Sequence, residues 1–395
     1  MKIGMILDAE FPPDPRVENE AISLVKAGFD VFLFCLSYQT SNQENYKGIE
    51  VRRYQSSKLE YKLSALAYTI PLYTNSLKKK IHHFINDNEI DVLHIHDIKV
   101  AEAVYRANTI KKLPVVLDLH DNYPEVMKFY PHLQKFPGKY IISPKKWKRK
   151  ESEFIQKADQ VITVSPEFIQ SLEDRFPILK SKFKLVPNTI RKSFYSDYTI
   201  DESITERFKN NFTLLYLGDT HIRRGLETAI KAIPNLIDEI PNIKLVIVGK
   251  NTTDYILKDL VKGLNVSAYV SFEGWQNMSL FPSYILASDI CISPLQRNIQ
   301  HDMAYANKLF QYMSFAKSVL VSDAVAQKRL VEQIDAGLVH IERDHQDFAD
   351  KVIQLYRNPS KRESFGKNGE AYVKNEFHWE QTSLELITLY KNLQN

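Results

Sequence analysis

The residues best placed to do chemistry are Arg223, Arg224 and Lys308 in the second half of the chain, and the pairs His96-Asp97 and His120-Asp121 in the first. Arg223 and Arg224 lie in Gly218-Asp-Thr-His-Ile-Arg-Arg-Gly225, a loop bordered by glycines. Arginine offers a planar fork and never loses its charge, so this loop suits a departing diphosphate, although a turn with two solvated arginines would look the same in isolation. Lys308 lies in Tyr305–Asp323, which reads as a short helix, a tight break and a buried strand. Helix starts hold phosphates, and a cation in the first turn is a poor dipole partner unless an anion arrives. An ordinary amphipathic helix with Leu309, Phe310 and Met313 as its core face is the simpler alternative. The two His-Asp pairs can hydrogen-bond hydroxyls and move protons near neutral pH. His94 shares a strand face with His96 and reads as a core histidine rather than a metal ligand. No Asp-x-Asp occurs in the chain, so a carboxylate grip on a divalent metal is missing. Protein cations would hold a diphosphate instead, with no metal and no other cofactor.

Alternating strand and helix signals position these residues. Ile3–Leu7, Val31–Leu36, Asp91–Ile95, Val115–Leu119 and Gln160–Val164 read as buried strands of a parallel sheet. Asp14 reads as a helix cap with Pro15 in the first turn and Gly28 as the stop. The pattern restarts with strands at Leu214–Leu217, Lys244–Val248, Val270–Phe272, Ile290–Ile292 and Val319–Val321. Polar residues from Pro187 to Asp201 separate the two series. The expected division is an N-terminal domain over 1–195 and a C-terminal domain over 196–377. The fold class expected is α/β, two doubly wound Rossmann-like domains facing across a cleft. Ligands of such sheets gather at the carboxyl ends of strands. Asp14, Arg16, His96, Asp97, His120 and Asp121 follow strands of the first series. Gly218, Arg223, Arg224 and the run Glu273-Gly274-Trp275 follow strands of the second.

These motifs, in their order and spacing, resemble the retaining glycosyltransferases of family 4 (glycosyl transferases group 1, GT-B fold). The resemblance is carried by Phe11-Pro-Pro-Asp-Pro-Arg-Val-Glu18, His96-Asp97, Leu117-Asp-Leu-His-Asp121, Val186-Pro-Asn188, the Gly218–Gly225 loop, Glu273-Gly-Trp275, Lys308–Met313 and Phe377-His-Trp379. It implies transfer of a sugar from a nucleotide-sugar donor to a glycan or lipid-linked acceptor, with retention at the anomeric carbon. It places His120 near the transferred sugar and Arg223 or Arg224 with Lys308 at the diphosphate, so that His120, Arg224 and Lys308 are the expected catalytic residues. Asn188, Gly218, Glu273, Gly274, Trp275, Asn307, Leu309 and Gln311 would complete the donor side. Asp14, Arg16, His96 and Asp121 would face the acceptor. It also implies that residues 378–395 form a last helix packing back on the first domain. Relatives carry a pair of glutamates where this chain has Met303 and Gln311, and an Arg where it has Asp219. These departures keep two other readings open: a non-catalytic partner of another transferase, and a nucleotide-sugar epimerase.

Composition fits a globular chain, 44% hydrophobic and 25% charged over 395 residues. No run of about 18 apolar residues occurs, and Met1–Asp8 reads as a first strand rather than a secretory signal. Cys35 and Cys291 read as reduced core residues, so a cytoplasmic location is expected. Net charge is +4, yet residues 51–150 hold 19 Lys/Arg against 9 Asp/Glu. The densest cluster surrounds Trp147: Lys145, Lys146, Lys148, Arg149 and Lys150. It suits an anionic membrane surface, which would make the protein peripheral at the inner face. No nucleic-acid motif accompanies it, so nucleic acid is not an expected partner.

Overall fold

The computed structural model describes residues 1–394 other than 131, 132, 134 and 137. The chain forms two compact units, Met1–Pro187 with Ser383–Asn395, and Asn188–Thr382. Each is built on one sheet flanked by helices.

The first unit holds β1 (Lys2–Ile6), β2 (Asp30–Ser37), β3 (Asn42–Tyr46), β4 (Ile49–Gln55), β5 (Val92–His96), β6 (Val115–Leu119), β7 (Gln160–Thr163) and β8 (Phe183–Leu185). Their order is β3-β4-β2-β1-β5-β6-β7-β8. All pairs are parallel except β3 with β4. The edge strand β3, Asn-Gln-Glu-Asn-Tyr, is exposed and polar, and so carries no apolar alternation to announce it. β5 and β6 are buried at every position. Buried parallel strands are normally continuous hydrophobic runs, so the His94, His96 and Asp118 that these two carry are exceptions needing partners.

The main helices of this unit are α1 (Pro15–Lys26), α2 (Leu72–Asp87), α3 (Ile98–Ala107) and α4 (Pro144–Lys157). In α1 the Asp14 side chain accepts from the amides of Arg16 and Val17, Pro15 starts the helix, and Val17, Ala21 and Leu24 are buried at helical spacing. In α4, Trp147 is fully buried against the rings of Tyr68 (4.5 Å) and Tyr123 (5.0 Å). Two of the surrounding cations are ion-paired, Lys148 with Glu151 and Lys150 with Glu102 and Glu153. The expectation of a Trp embedded in the basic surface is corrected here: Trp147 is core, because the helix turns both its aromatic residues, Trp147 and Phe154, toward Tyr68.

The second unit holds β9 (Phe212–Leu217), β10 (Ile243–Val248), β11 (Val270–Gly274), β12 (Ile290–Ser293), β13 (Ser318–Ser322) and β14 (Gly337–His340), ordered β11-β10-β9-β12-β13-β14 and all parallel. Period-two alternation divides β9 between two cores. Leu214 and Tyr216 face Leu226, Ile230 and Ile233 of α5 (Leu226–Ile237). Leu215 and Leu217 face Leu309, Phe310 and Met313 of α6 (Asn307–Met313). α7 (Pro359–Asn375) adds Val373 to the second core.

The units divide at Pro187/Asn188, not near residue 195 as the loop composition suggested. Ile190 lies in the core of the second unit, with Phe194 and Tyr195 packed on it. The expected single last helix is also broken. A short turn, Trp379–Thr382, stays with the second unit, where the Trp379 amide donates to the Ile190 carbonyl (2.8 Å) and the hydroxyls of Thr189 and Thr382 pair (2.8 Å). Only α8 (Leu384–Gln394) belongs to the first unit, against α1 and β8. Both cysteines are buried and free, and no described helix is long and apolar enough to cross a membrane.

Gly225 is where backbone fit is tightest beside the arginines. Its φ is +76°, and a Cβ there would lie 1.7 Å from the Pro294 carbonyl oxygen. Gly225→Ala is expected to destabilise the chain by more than about 1 kcal/mol, read as a lowered urea midpoint. An unchanged midpoint would show that the loop has room to move.

Candidate functional site

In the first unit, sheet register assembles a buried charged cluster. His94 and His96 share a face of β5, and Asp118 of β6 is the register partner of His96. The first two turns of α1 bring Arg16 and Glu20, one turn apart, onto that face. The Arg16 guanidinium binds Asp118 in bidentate fashion, Nε to Oδ2 at 2.8 Å and Nη2 to Oδ1 at 2.7 Å. It also donates to the Val186 carbonyl (3.0 Å) and pairs with Glu20 (2.9 Å). Glu20 lies 3.3 Å from His94 Nε2, and His94 Nδ1 lies 2.7 Å from the hydroxyl of Tyr390 on α8. His120, just past β6, sits between Asp97 (Nε2 to Oδ2, 2.9 Å) and Asp118 (Nδ1 to Oδ2, 3.3 Å).

Burial and charge set the protonation of these groups. Burial would raise the Asp118 carboxyl, but Arg16 and the neighbouring imidazoles hold it well below the usual range. Burial, reinforced by His94, pushes His96 down to about 3, so that ring is neutral. Burial also lifts Glu20 to about 7 against the pull of Arg16. Burial works against the charge of His120 as well, yet Asp97 and Asp118 outweigh it and raise His120 well above 6.5. His120 is therefore an imidazolium donating from both nitrogens, not a neutral base awaiting a proton.

Two of the expected acceptor residues are corrected by this arrangement. Arg16 and His96 face inward, with side chains 6% and 0% exposed, because α1 turns one onto Asp118 and His96 is the last residue inside its strand rather than the first beyond it. One oxygen of Asp14 caps α1. Asp121 is half-buried with Asp97 and His120, their ligand-type atoms within 4.8 Å of one another. Two carboxylate–imidazole groups have metal-like composition: Glu20, His94, His96 and Asp118, whose carboxylates Arg16 engages, and Asp97, His120 and Asp121.

In the second unit, a cationic group surrounds the loop after β9. Lys308 of α6 is half-buried, its Nζ 3.4 Å from the ring centroid of Tyr216 and 3.6 Å from where a Cβ on Gly218 would be. A Cβ at Gly218 would sit in ordinary contact with the ammonium, so it is the backbone, at a φ of +113°, that asks for glycine there. Arg224 lies 3.3 Å from Asp219 and 3.5 Å from His301 Nε2. Asp219 also accepts from Asn251 Nδ2 at 2.7 Å. His301 Nδ1 faces the Gln296 carbonyl at 2.7 Å; a carbonyl only accepts, so the proton is on Nδ1 and the Nε2 lone pair meets Arg224. Burial and then Arg224 push His301 down to about 4. Lys308 is held well below its ordinary 10.5 by burial and then by Arg224, with Asp219 opposing. Arg223, on the same turn, adds to the positive field at His301.

The profile of Glycosyltransferase Family 4 matches residues 16–194, and that of Glycosyl transferases group 1 matches residues 197–372. The chain belongs to the group 1, family 4 glycosyltransferases. Spore coat protein SA of Bacillus subtilis is 23% identical over 252 residues, covering 60% of this chain; the chain spans 66% of that relative's length. Among solved structures, sucrose-phosphate synthase from Thermosynechococcus elongatus superposes with a TM-score of 0.79 at 17% identity, covering 99% of this chain and 98% of that one. Anabaena Alr3699/HepE in complex with UDP does so at 0.73 and 16%, covering 99% and 100%. The fold is GT-B.

Other family positions are placed less as the motifs suggested. The Leu309 side chain is core, and its amide donates to the Ala306 carbonyl (2.9 Å). Gln311 is buried, its Nε2 4.0 Å from the Met278 sulfur. Glu273 is bound to Arg207, Tyr284 and Ser271. The Gly274 carbonyl accepts from Gly249 (2.7 Å), while Trp275 is 74% exposed. Asn307 begins α6 exposed, and Asn188 is half-buried at the start of the second unit. Asp219 and His301 escaped the motif reading as site residues. Asp219 looked like a departure from an expected Arg, and His301 lay in an unstructured-looking polar loop; only tertiary contact with Arg224 reveals them. Tyr390 carried no local signal either.

The charge on this glycosyltransferase's His120 is testable. Its folded pKa is raised, so its carboxylate contacts stabilise the fold fully below pH 6.5 and lose that contribution as pH rises through the folded value. Ring-nitrogen NMR should show His120 titrating above 6.5, and Asp97→Asn should move it downward. A His120 titrating at or below 6.5 in the unaltered protein would contradict the geometry.

Proposed function

We propose that the chain transfers a sugar from a nucleoside-diphosphate donor to a hydroxyl acceptor, with retention at the anomeric carbon and without a metal ion. The second unit takes the donor and the first takes the acceptor. One observation carries the reading: Arg224 and Lys308, from separate elements, share the space around Gly218 and Asp219 with His301 and the turn bearing Arg223. Burial and then Arg224 depress Lys308, and a diphosphate relieves that strain while both cations stabilise the charge it gains on leaving. The UDP in the Anabaena structure of the same fold supports a nucleoside diphosphate as the group held.

In this reaction the bond between the sugar's anomeric carbon and the β-phosphate oxygen breaks, and its electron pair leaves with the phosphate. The acceptor oxygen bonds to the same face of that carbon, and the acceptor proton passes to the departing phosphate oxygen. Arg224 and Lys308 hold the diphosphate's growing charge. Asp97 and Asp121, beside the His120 imidazolium, accept hydrogen bonds from the acceptor's hydroxyls. The acceptor is a glycan or a lipid-linked sugar, and the protein works at the cytoplasmic membrane face.

Arg224→Ala and Lys308→Ala should each lower kcat by about 10²–10³-fold, and the activity should persist in excess EDTA. Sugar transfer is measured across a panel of nucleotide sugars, with thermal shift by the free nucleoside diphosphates alongside. Absence of both transfer and thermal shift would overturn the reading in favour of a non-catalytic partner. Sugar isomerisation without any acceptor would overturn it in favour of an epimerase.

A further inference from the structure

The first unit contains a cavity of about 890 Å³ that no motif accounts for. This lies toward the upper end of the ~300–1,000 Å³ usual for small-molecule sites. Its wall is apolar and aromatic, with Leu66, Met127, Ile142, Tyr61, Tyr123 and Tyr130 among the lining residues. Leu66, Met127 and Ile142 offer nothing to a sugar's hydroxyls but suit a hydrocarbon chain. The surrounding surface is also apolar: Leu59 is 68% and Tyr140 78% exposed, and Ile141 is exposed as well. Two lysines, Lys62 and Lys135, line the cavity, both exposed and with no carboxylate partner among the described residues. An apolar chamber with unpaired ammonium groups in its wall complements an amphiphile with an anionic head.

The cavity also adjoins the His120 cluster. Tyr123, which lines the cavity, begins a short helix three residues beyond His120, and its hydroxyl lies within the field of Asp97 and Asp8. Across the chamber, the Tyr61 ring carries Lys99, whose Nζ lies 4.9 Å from the ring centroid and 2.9 Å from Asp8. A molecule filling the chamber therefore abuts the loop that presents His120 and Asp121.

We propose that this cavity binds the hydrocarbon chain of an anionic lipid acceptor, a sugar joined through phosphate to an isoprenoid or other long alkyl chain, whose sugar hydroxyls lie toward His120 and Asp121 while Lys62 and Lys135 meet its phosphate. This rests on the reading of the first unit as the acceptor side, and it narrows the acceptor from any glycan or lipid to a phosphorylated lipid.

The test is calorimetric titration of the full chain with dodecyl phosphate below its micelle concentration, with dodecanol and inorganic phosphate as the separate halves of that probe. Dodecyl phosphate should bind, dodecanol about tenfold more weakly, and inorganic phosphate not measurably. Met127→Trp fills the chamber and should weaken dodecyl phosphate by at least about tenfold, and Lys62→Glu by a smaller factor, while the affinity for a nucleoside diphosphate stays unchanged. Ile142→Trp provides a second filling variant should Met127→Trp not fold. No binding of dodecyl phosphate, or binding indifferent to a folded chamber-filling variant, overturns the proposal. If the nucleoside diphosphate still binds in that case, only the lipid site falls; if it also fails, the glycosyl-transfer reading falls with it.

Discussion

Two like charges held close in a half-buried place repel one another, and burial raises that penalty because water no longer shields them. The GT-B second unit builds such a place. The end of β9 delivers Gly218 and Asp219, the turn before α5 delivers Arg224, and the first turn of α6 delivers Lys308. Both glycines of the loop are needed for this. Gly218 takes a left-handed φ of +113° at the end of β9, and Gly225 lets the backbone pass under the Pro294 carbonyl. Asp219 offsets part of the repulsion and is itself steadied by Asn251. What remains is a positive site whose lysine is depressed and whose histidine is neutral, which favours a bound polyanion over an empty state. The proposed chemistry depends on this constraint.

The first unit handles charge in the opposite way. Arg16, Asp118 and Glu20 are buried together and balanced internally, with His94 and Tyr390 closing one side and His120 the other. A bidentate Arg–carboxylate pair this deep is held by geometry and mutual charge, and removing one partner would strand the other. What it supplies is posture. Asp118 fixes one nitrogen of His120, Asp97 fixes the other, and the ring keeps a defined orientation and a positive charge. Tyr390 ties the C-terminal helix into the same network, so that the last residues of the chain support a cluster begun by the first helix.

Much of this was legible in the sequence. The β–α alternation, the capped first helix and the rule that ligands gather after strands placed His120, Asp121, Gly218, Arg224 and Lys308 at the ends of the right elements. The failures have physical causes. His96 is the final residue of β5, and strand parity turned it inward beside His94. Arg16 was expected to face the acceptor, but its partner Asp118 is 102 residues away and leaves no local trace. Trp147 among lysines looked like a membrane anchor, whereas its contacts come from Tyr68 and Tyr123 in other segments. Asp219 read as a loss because the family pattern has an Arg there, yet it is the counter-ion that holds Arg224. The apolar cavity draws its wall from distant stretches of the chain, a convergence that no spacing rule encodes.

The most direct measurement of the central claim is proton uptake on nucleoside diphosphate binding, taken by calorimetry in mildly alkaline buffers of differing ionisation enthalpy. If Lys308 is held depressed by burial and Arg224 and is recharged by the arriving phosphates, binding should draw protons from the buffer, and Lys308→Met should abolish that uptake. Binding with no net proton uptake, or uptake that survives in Lys308→Met, would contradict the view that these two cations share one diphosphate.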